Sequence, residues 1–254
     1  TVYNVTIINC ADRSYSGIDP GNLRIDGQEN MQITNCTFRN NERAKGDNGN
    51  TLNVTNCRGI TLDNCNFTKP DDEGGEWNFF AEIFHLQGGF EIKNSTFTGS
   101  ATLDFSNAYN GATTRGAYPF SISVHDCFMS TTTGSQISQS GVGHNPVALQ
   151  AEKGEYEYVY FYNNHIKGYA YGIMFTTSTS YNNTLSHIYV FNNILENIGY
   201  TDYQYTYAIA LILENNGGYS VTLDNIHIVN NTMTGGSGYN FNGIRWVANG
   251  TATN

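Results

Sequence analysis

The chain carries little charge, and much of the charge it has is negative. Only 13% of its 254 residues are charged, lysine occurs five times, and the formal net charge is −10. A protein that binds nucleic acid normally needs a basic face, so this composition argues against a nucleic-acid partner. It argues equally against electrostatic capture of an acidic polymer, unless a cation bridges the two chains.

Several other signals are missing. No run of about 18 apolar residues occurs, so we expect no membrane span. Five cysteines are present without a CxxC motif, which argues against a zinc framework, and their odd number leaves at least one without a partner in the chain. The chain opens on the strand-like "TVYNVTIINC" with no signal peptide before it. We therefore expect a mature product, or part of a longer chain or assembly.

Asparagine, threonine, glycine and tyrosine are abundant instead. A polar, uncharged surface with many tyrosines suits an extracellular or cell-surface protein that meets sugars or other proteins. N-x-[S/T] sequons agree with that location. These candidate glycosylation sites are Asn4, Asn53, Asn66, Asn182 and Asn249.

A short phrase recurs eight times, as in "ITNCTFRN" (33–40) and "IVNNTMTG" (228–235). Two places after a leading apolar residue comes Asn or Asp: Asn9, Asn35, Asn64, Asn94, Asp126, Asn163, Asn192 and Asn230. The next place holds Cys, Ser or Asn: Cys10, Cys36, Cys65, Ser95, Cys127, Asn164, Asn193 and Asn231. Internal repetition of this kind is typical of a solenoid whose connecting loops vary in length.

Each phrase predicts two brief strands around a bend, because it is short, alternating and rich in β-branched or aromatic residues. Another strand lies between successive phrases, at 22–26, 51–55, 83–87, 102–106, 146–150, 172–176, 208–213 and 243–247. No helical stretch of useful length occurs. Three strands per repeat predict an all-β fold, a parallel β-helix of about eight coils with long variable loops, as one domain over residues 1–254.

The repeated asparagines explain how the backbone groups at such bends find hydrogen-bond partners. Asn tolerates the left-handed backbone of a tight bend and can bond to its neighbour one coil away, so we predict an internal ladder. Cysteines in the same column should be small, buried and unreactive. A disulfide between neighbouring coils, such as Cys36 to Cys65, is the alternative. Cys57 lies outside the column, so we expect it to be the more exposed thiol.

This pattern resembles the right-handed β-helix superfamily of pectate lyases, polygalacturonases and phage tailspikes. The resemblance covers roughly residues 5–250 and rests on the ladder and the three-strand coil. It implies a right-handed helix and a polysaccharide groove over one sheet. The ordered hydrolase signature is not reproduced: Asn-Thr-Asp is missing, and Arg24 in "LRID" comes first instead of last. The resemblance therefore implies the fold more strongly than the activity.

The matching sheet would be formed by the strands between phrases. Side chains alternate along a strand, so one outward column begins Arg24, Asn53, His85 and Asp104. We predict His85 as a base oriented by Asp104, with Arg24 as a third catalytic residue. Substrate-binding candidates are Asp26, Asn53, Gln87, Gln150 and, in a tyrosine-rich loop, Tyr203 and Tyr205. The alternative is an ordinary solvated face with a chance pair.

Two further features concern ligands and partners. The acidic run Asp71, Asp72 and Glu73 is either a calcium loop or a solvated acidic loop, and no other cofactor is indicated. The outward column turns apolar in the later coils, where a loop, a neighbouring domain or a second subunit should cover it.

Two functions follow. The first is a secreted or cell-surface β-helix that binds a polysaccharide or cell-surface glycan, with cleavage by a lyase or hydrolase mechanism left open. The alternative is a structural or adhesive module without catalysis, such as a filament, sheath or spike subunit.

Overall fold

The computed structural model describes residues 1–8, 23–39, 49–69, 78–99, 101–106, 121–131, 147–152, 155–176, 183–199, 206–214, 221–236 and 241–249. These residues form 24 strands and no helix, so this part of the chain contains no helix able to cross a membrane. The strands wind into a right-handed parallel β-helix of eight coils, each with three strands. The predicted fold class is confirmed.

Each coil contributes one strand to each of three parallel sheets. Sheet A contains β1 (Val2–Tyr3), β4 (Gln32–Thr34), β7 (Ile60–Asp63), β10 (Phe90–Lys93), β13 (Ile122–His125), β16 (Glu155–Tyr162), β19 (Asn183–Phe191) and β22 (Val221–Val229). Sheet B contains β2 (Thr6–Ile8), β5 (Thr37–Arg39), β8 (Asn66–Thr68), β11 (Thr96–Thr98), β14 (Phe128–Ser130), β17 (His165–Lys167), β20 (Ile194–Ile198) and β23 (Thr232–Gly235). Sheet C contains β3 (Leu23–Asp26), β6 (Gly49–Thr55), β9 (Asn78–Phe84), β12 (Thr102–Ser106), β15 (Val147–Glu152), β18 (Tyr171–Thr176), β21 (Thr206–Glu214) and β24 (Phe241–Asn249).

The core lies inside the coil and is built from stacked columns of like residues. On sheet B, Phe38, Phe67 and Phe97 are fully buried, and their rings stack with centroids 4.7 and 4.8 Å apart. The same column continues with Met129 and Ile166 in the next two coils. In-register parallel strands bring equivalent residues together at the strand spacing of about 4.8 Å, so each coil packs mainly on its neighbours.

A left-handed residue forms the corner between sheets A and B in every coil. Asparagine or aspartate holds this position, with φ between 51° and 56°: Asn4, Asn35, Asn64, Asn94, Asp126, Asn163, Asn192 and Asn230. The first copy of the phrase was wrongly placed, because Val2 pairs with Ile33 and so makes Asn4 the first corner. Asn9 and Cys10 lie outside the described residues. With Asn4 as the corner, Ile7 takes the inward position that pairs with Phe38 in the next coil.

The buried ladder runs through the position that follows the corner in every coil after the first, where the exposed Val5 holds it. The Asn164 backbone N–H and side-chain Nδ2 both donate to Oδ1 of Asn193, at 3.0 Å each. Asn193 makes the same pair of bonds to Asn231, and its Nδ2 also donates to the carbonyl of Phe161 at 2.8 Å. The amides thus satisfy backbone groups that the bend leaves without sheet partners.

Cysteine takes the same position in the earlier coils as a weaker donor. The Cys65 thiol donates to the carbonyl of Ile33, which corresponds to the carbonyl that the asparagines reach in later coils. Cys36, Cys57, Cys65 and Cys127 are all free and buried. The prediction that Cys57 is exposed was wrong: its thiol donates to the carbonyl of Thr55 at 3.0 Å, inside the corner that follows sheet C.

Candidate functional site

The outward column of sheet C in the structure contains different residues from those that the sequence predicted. Asp104 pairs in register with Glu82, not with His85. The third strand of this coil is β9, which starts at Asn78 and ends at Phe84. His85 follows it in a left-handed corner with φ 46°, at the position held by Gly27 and Asn56 in earlier coils. The predicted adjacency of His85 and Asp104 was therefore wrong, and their catalytic roles remain untested predictions.

The observed column runs Arg24, Asn53, Glu82, Asp104, Gln150, Met174, Ala210 and Arg245. Its middle is closed to solvent, because Asn53, Glu82 and Asp104 are at most 7% exposed. Arg24 at its start is bound to its own neighbour, with Nη2 3.1 Å from Oδ2 of Asp26. An open polysaccharide groove along this column is therefore not what the described residues show.

The other predicted residues are scattered. Gln150 is half-buried and donates to Oε2 of Glu152 at 3.0 Å, while Gln87 lies two residues past the His85 corner. Asn4 and Asn66 are exposed sequons, whereas Asn53 is buried and leaves no room for a glycan in this fold. Outside the described residues lie Tyr203, Tyr205, Asp71, Asp72, Glu73 and Asn182, together with the side chain of Asn249.

The apolar outer face of the later coils is covered within the single chain. Met174 and Ala210 are buried with Tyr171 and Tyr207 in a second apolar cluster, separate from the main core. The Arg245 guanidinium lies 4.7 Å from the centroid of the Tyr207 ring. Association of chains through this face stays a prediction and forms no part of the function proposed below.

A different surface gathers aromatic side chains, and it lies on the outside of sheet A. Strands β13, β16, β19 and β22 carry rings at outward positions. In one row Tyr160, Tyr189 and His227 stack with centroids 5.1 Å apart and planes within 7° of parallel. In the next row His125, Tyr162 and Phe191 stack at 4.5 and 4.9 Å, within 5° of parallel. We call these six residues the aromatic strip.

The stacking geometry determines what the strip presents to solvent. Its ring spacing follows the coil repeat, whereas aromatic carbons make their best contact at about 3.5–4.0 Å. Parallel rings at this spacing keep contact by offset, so each ring shows an edge and part of a face. Because every ring is held by a neighbour above or below, the strip is rigid before any ligand arrives.

One border of the strip is a row of left-handed residues. Tyr158 and His187 have φ of 57° and 53°, and their rings stack 4.6 Å apart. Asn225 holds the equivalent position in the next coil. Asparagine and histidine are enriched in this backbone region, whereas a bulky residue such as Tyr158 costs roughly 1–2 kcal/mol there. Tyr158 is therefore the strained member of the row.

Hydroxyl and ring N–H groups are also fixed along the strip. The Tyr189 hydroxyl accepts a bond from Nδ2 of Asn225 at 2.9 Å, and His227 Nε2 lies 2.6 Å from Oδ1 of Asn225. Partial burial, reinforced by the neighbouring tyrosines, raises the pKa of Tyr160 above its usual value. Its hydroxyl therefore stays protonated at neutral pH and remains able to donate a hydrogen bond.

A compact charged group closes the strip at its N-terminal end. His125 Nδ1 lies 2.7 Å from Oδ2 of Asp126, and its Nε2 lies 3.2 Å from Oε1 of Glu91. Lys93 Nζ donates to the other oxygen of Glu91 at 3.0 Å. The His125 ring is covered by Tyr162, which leaves its side chain 12% exposed.

These contacts hold both carboxylates ionised. The hydrogen bond from His125 lowers the pKa of Asp126. Partial burial alone would raise the pKa of Glu91, but hydrogen bonds from Lys93 and His125 lower it. A general acid needs a raised pKa to be protonated near neutral pH. The group is thus better suited to fixing the His125 ring than to donating a proton.

No group of three or more metal-ligating side chains is present in the parts of the chain that the structure describes. Comparisons of the chain with protein-family models, with characterised proteins and with solved structures find no match. The fold is therefore established by its own sheets and ladder, and the function has to be argued from the surface.

The sequence reasoning missed the aromatic strip, although its signal was visible. In "EYEYVYFY" (155–162) and "SHIYVF" (186–191) rings occupy alternate positions on strands of the repeated phrase. The alternation predicts the strands, but it does not show which outward side chains stack between coils. The resemblance implied a groove on sheet C and nothing on the outside of sheet A.

Proposed function

We propose that this protein binds a polysaccharide through the aromatic strip on sheet A. The observation that carries the proposal is the pair of parallel ring rows made by Tyr160, Tyr189 and His227 and by His125, Tyr162 and Phe191. A sugar offers apolar C–H faces and a rim of hydroxyls. Aromatic residues with polar tips match both features, because the ring contacts the C–H face and the hydroxyl or N–H bonds to the rim.

The surrounding charges favour a neutral polymer. Glu91, Asp126 and Asp224 lie beside the strip, and Lys93 is already bound to Glu91. The whole chain has a net charge of −10. A uronate polymer would meet repulsion along its length, so we propose a neutral, hydroxyl-rich ligand.

Polysaccharides of this kind occur outside the cell, so an extracellular or cell-surface location is part of the proposal. It is supported by the sparse charge and by exposed sequons such as Asn4 and Asn66.

The test is binding of the purified protein to a panel of neutral and acidic polysaccharides, measured by affinity electrophoresis or depletion. The key variant is Tyr160→Thr with Tyr189→Thr, because threonine is a good strand residue and removes two rings from one row. Its matched control is Phe128→Thr, an exposed aromatic on the outside of sheet B. We expect the double variant to lose at least tenfold in affinity and the control to bind as the unmodified protein does. Equal binding by the unmodified protein, the double variant and the control would show that the strip takes no part in binding.

The structural or adhesive module expected from the sequence stays the alternative. Electron microscopy of the native material would separate the alternatives, since filaments or sheaths support the module and dispersed particles support the polysaccharide binder.

A further inference from the structure

We propose that the ligand of the aromatic strip is an ordered, packed face of neutral polysaccharide chains, such as the surface of an insoluble fibril, with its chains parallel to the axis of the β-helix. This inference rests on the proposed function and specifies the physical state of its ligand. It follows from the shape, the periodicity and the rigidity of the strip.

The shape of the strip is a narrow, flat facet. Left-handed corners limit it on both sides, with Tyr158, His187 and Asn225 at one border and Asn163, Asn192 and Asn230 at the other. Between the borders each strand contributes four residues, as Val159–Tyr162 does, which is about 13 Å of extended chain. The backbone turns away from the facet at both borders.

A site for one soluble oligosaccharide is normally concave and surrounds its ligand. The described residues of sheet A instead present the rings on the outer side of the coil, between two corners. A facet of this kind makes its largest contact with another flat surface. A packed layer of chains offers such a surface, whereas an isolated chain would leave part of each row uncovered.

The periodicity of the strip fixes the expected direction of the chains. Rings recur along the helix axis every 4.5 to 5.1 Å. The two rows are two residues apart along the strand, or about 6.6 Å. An extended polysaccharide repeats its rings at a spacing comparable to one coil, so a chain parallel to the axis meets a new pair of side chains at each sugar.

Rigidity decides between a solid and a soluble ligand. The strip rings are held in stacks, and His125 is fixed further by Glu91 and Asp126. When two rigid arrays meet, many weak contacts form together and little conformational entropy is lost. A soluble chain loses conformational entropy when it binds, and this loss offsets the favourable free energy of the same contacts.

The experiment compares solid and soluble forms of the same sugar. Microcrystalline cellulose, chitin and insoluble β-1,3-glucan are each mixed with the full chain, and depletion from solution is measured. The matching soluble hexasaccharide is then added as competitor at equal and at hundredfold sugar concentration. Tyr160→Thr with Tyr189→Thr and the control Phe128→Thr are run alongside, with circular dichroism to confirm that each variant is folded.

We expect at least one solid to bind the protein, the hexasaccharide to displace less than a tenth of it at equal concentration, and the double variant to bind at least tenfold more weakly. Full displacement by the hexasaccharide at equal concentration would overturn the packed-face ligand and leave the proposed function standing. Absence of binding to every soluble and insoluble polysaccharide would overturn both.

The same samples test the other occupant of such a face, a second copy of the chain. Sedimentation velocity of the unmodified protein and of the double variant reports whether the strip joins two chains. A dimer that dissociates in the double variant would assign the strip to self-association and overturn the proposal. An unchanged monomer in both samples is the expected result.

Discussion

The side-chain Nδ2 of Asn193 donates to Oδ1 of Asn231 at 2.9 Å and to the carbonyl of Phe161 at 2.8 Å, so one amide ties together three successive coils. Asn193 is 1% exposed, and these bonds lie where water cannot replace them. Buried polar groups left without partners are expensive. The ladder therefore has a structural role, which is to supply hydrogen-bond partners at the bend.

We expect Asn193→Ala to lower the free energy of unfolding by about 3 kcal/mol, because it leaves the Phe161 carbonyl and the Asn164 N–H groups unsatisfied. The measurement is urea denaturation followed by circular dichroism. The matched control is Asn192→Gly, one residue away at the exposed corner with φ 56°, where glycine is unstrained and the change should be small. Equal losses in the two variants would contradict a special role for the buried amide.

Tyr158→Asn should separate stability from binding. Asparagine suits the left-handed backbone better than tyrosine, and the relief of about 1–2 kcal/mol exceeds the loss of one exposed ring stack. We expect unfolding to become harder by about 0.5–1 kcal/mol, and binding at the border of the strip to weaken. The comparison is Tyr160→Asn, the same substitution in extended backbone, which should weaken both properties. A destabilised Tyr158→Asn protein would show that its backbone is not strained.

The ladder thiols should be inert in the folded protein. Burial raises the pKa of Cys65 to about 11 and that of Cys127 to about 12, so thiolate is scarce at pH 8. We expect Cys36, Cys57, Cys65 and Cys127 to resist iodoacetamide in native protein and to react in urea, as read by peptide mass spectrometry. Labelling of Cys65 or Cys127 at the rate of a free thiol would contradict the buried ladder.

The same raised pKa values predict alkaline destabilisation. The folded state favours the protonated thiols, so their contribution is complete below the pKa of the unfolded chain and is lost as the pH rises from about 9 towards 11. The measurement is the urea midpoint of the unmodified protein and of Cys65→Ser between pH 7 and pH 10. The difference in urea midpoint between the unmodified protein and Cys65→Ser should become smaller as the pH increases.

The charged end of the strip predicts the opposite dependence in acid. Asp126 and Glu91 have lowered pKa values in the folded protein, so the stability they contribute is present above the pKa of the unfolded carboxyls and is lost as the pH falls through the folded values. His125→Phe keeps the stack on Tyr162 but removes both hydrogen bonds. Its destabilisation should be complete above the pKa of the unfolded carboxyls and vanish near pH 2, as measured by urea unfolding. A pH-independent loss would assign the effect to packing.

The fold could be predicted from the sequence because the same residue types recur at equivalent positions of successive repeats. A corner between two strands needs a left-handed residue, so Asn or Asp recurs there, and the position after it needs a small buried donor, so Cys, Ser or Asn recurs there. The corner at Asn64 and the ladder member at Cys65 were both assigned correctly on this basis. The rule acts residue by residue and does not depend on the lengths of the loops.

The candidate site could not be predicted in the same way. The strands of sheet C have no fixed phrase, and period-two alternation fits "IFHLQ" (83–87) as well as "NFFAEIF" (78–84). A wrong register moves every outward residue to another neighbour, which is how His85 was placed beside Asp104. The corner at His85 carried no clear signal, because histidine is not among the residues that dominate turns, unlike the Gly27 and Asn56 of the equivalent corners.

The register of sheets A and B also makes each coil an interchangeable unit. Leu62 pairs with Ile92, which pairs with Val124, and Phe67 pairs with Phe97, which pairs with Met129. Duplicating or deleting one coil would therefore join surfaces that already fit, and the core would need no redesign. The length of the aromatic strip can change by whole coils while the fold stays the same, so gene duplication alone can adjust how much ligand one molecule covers.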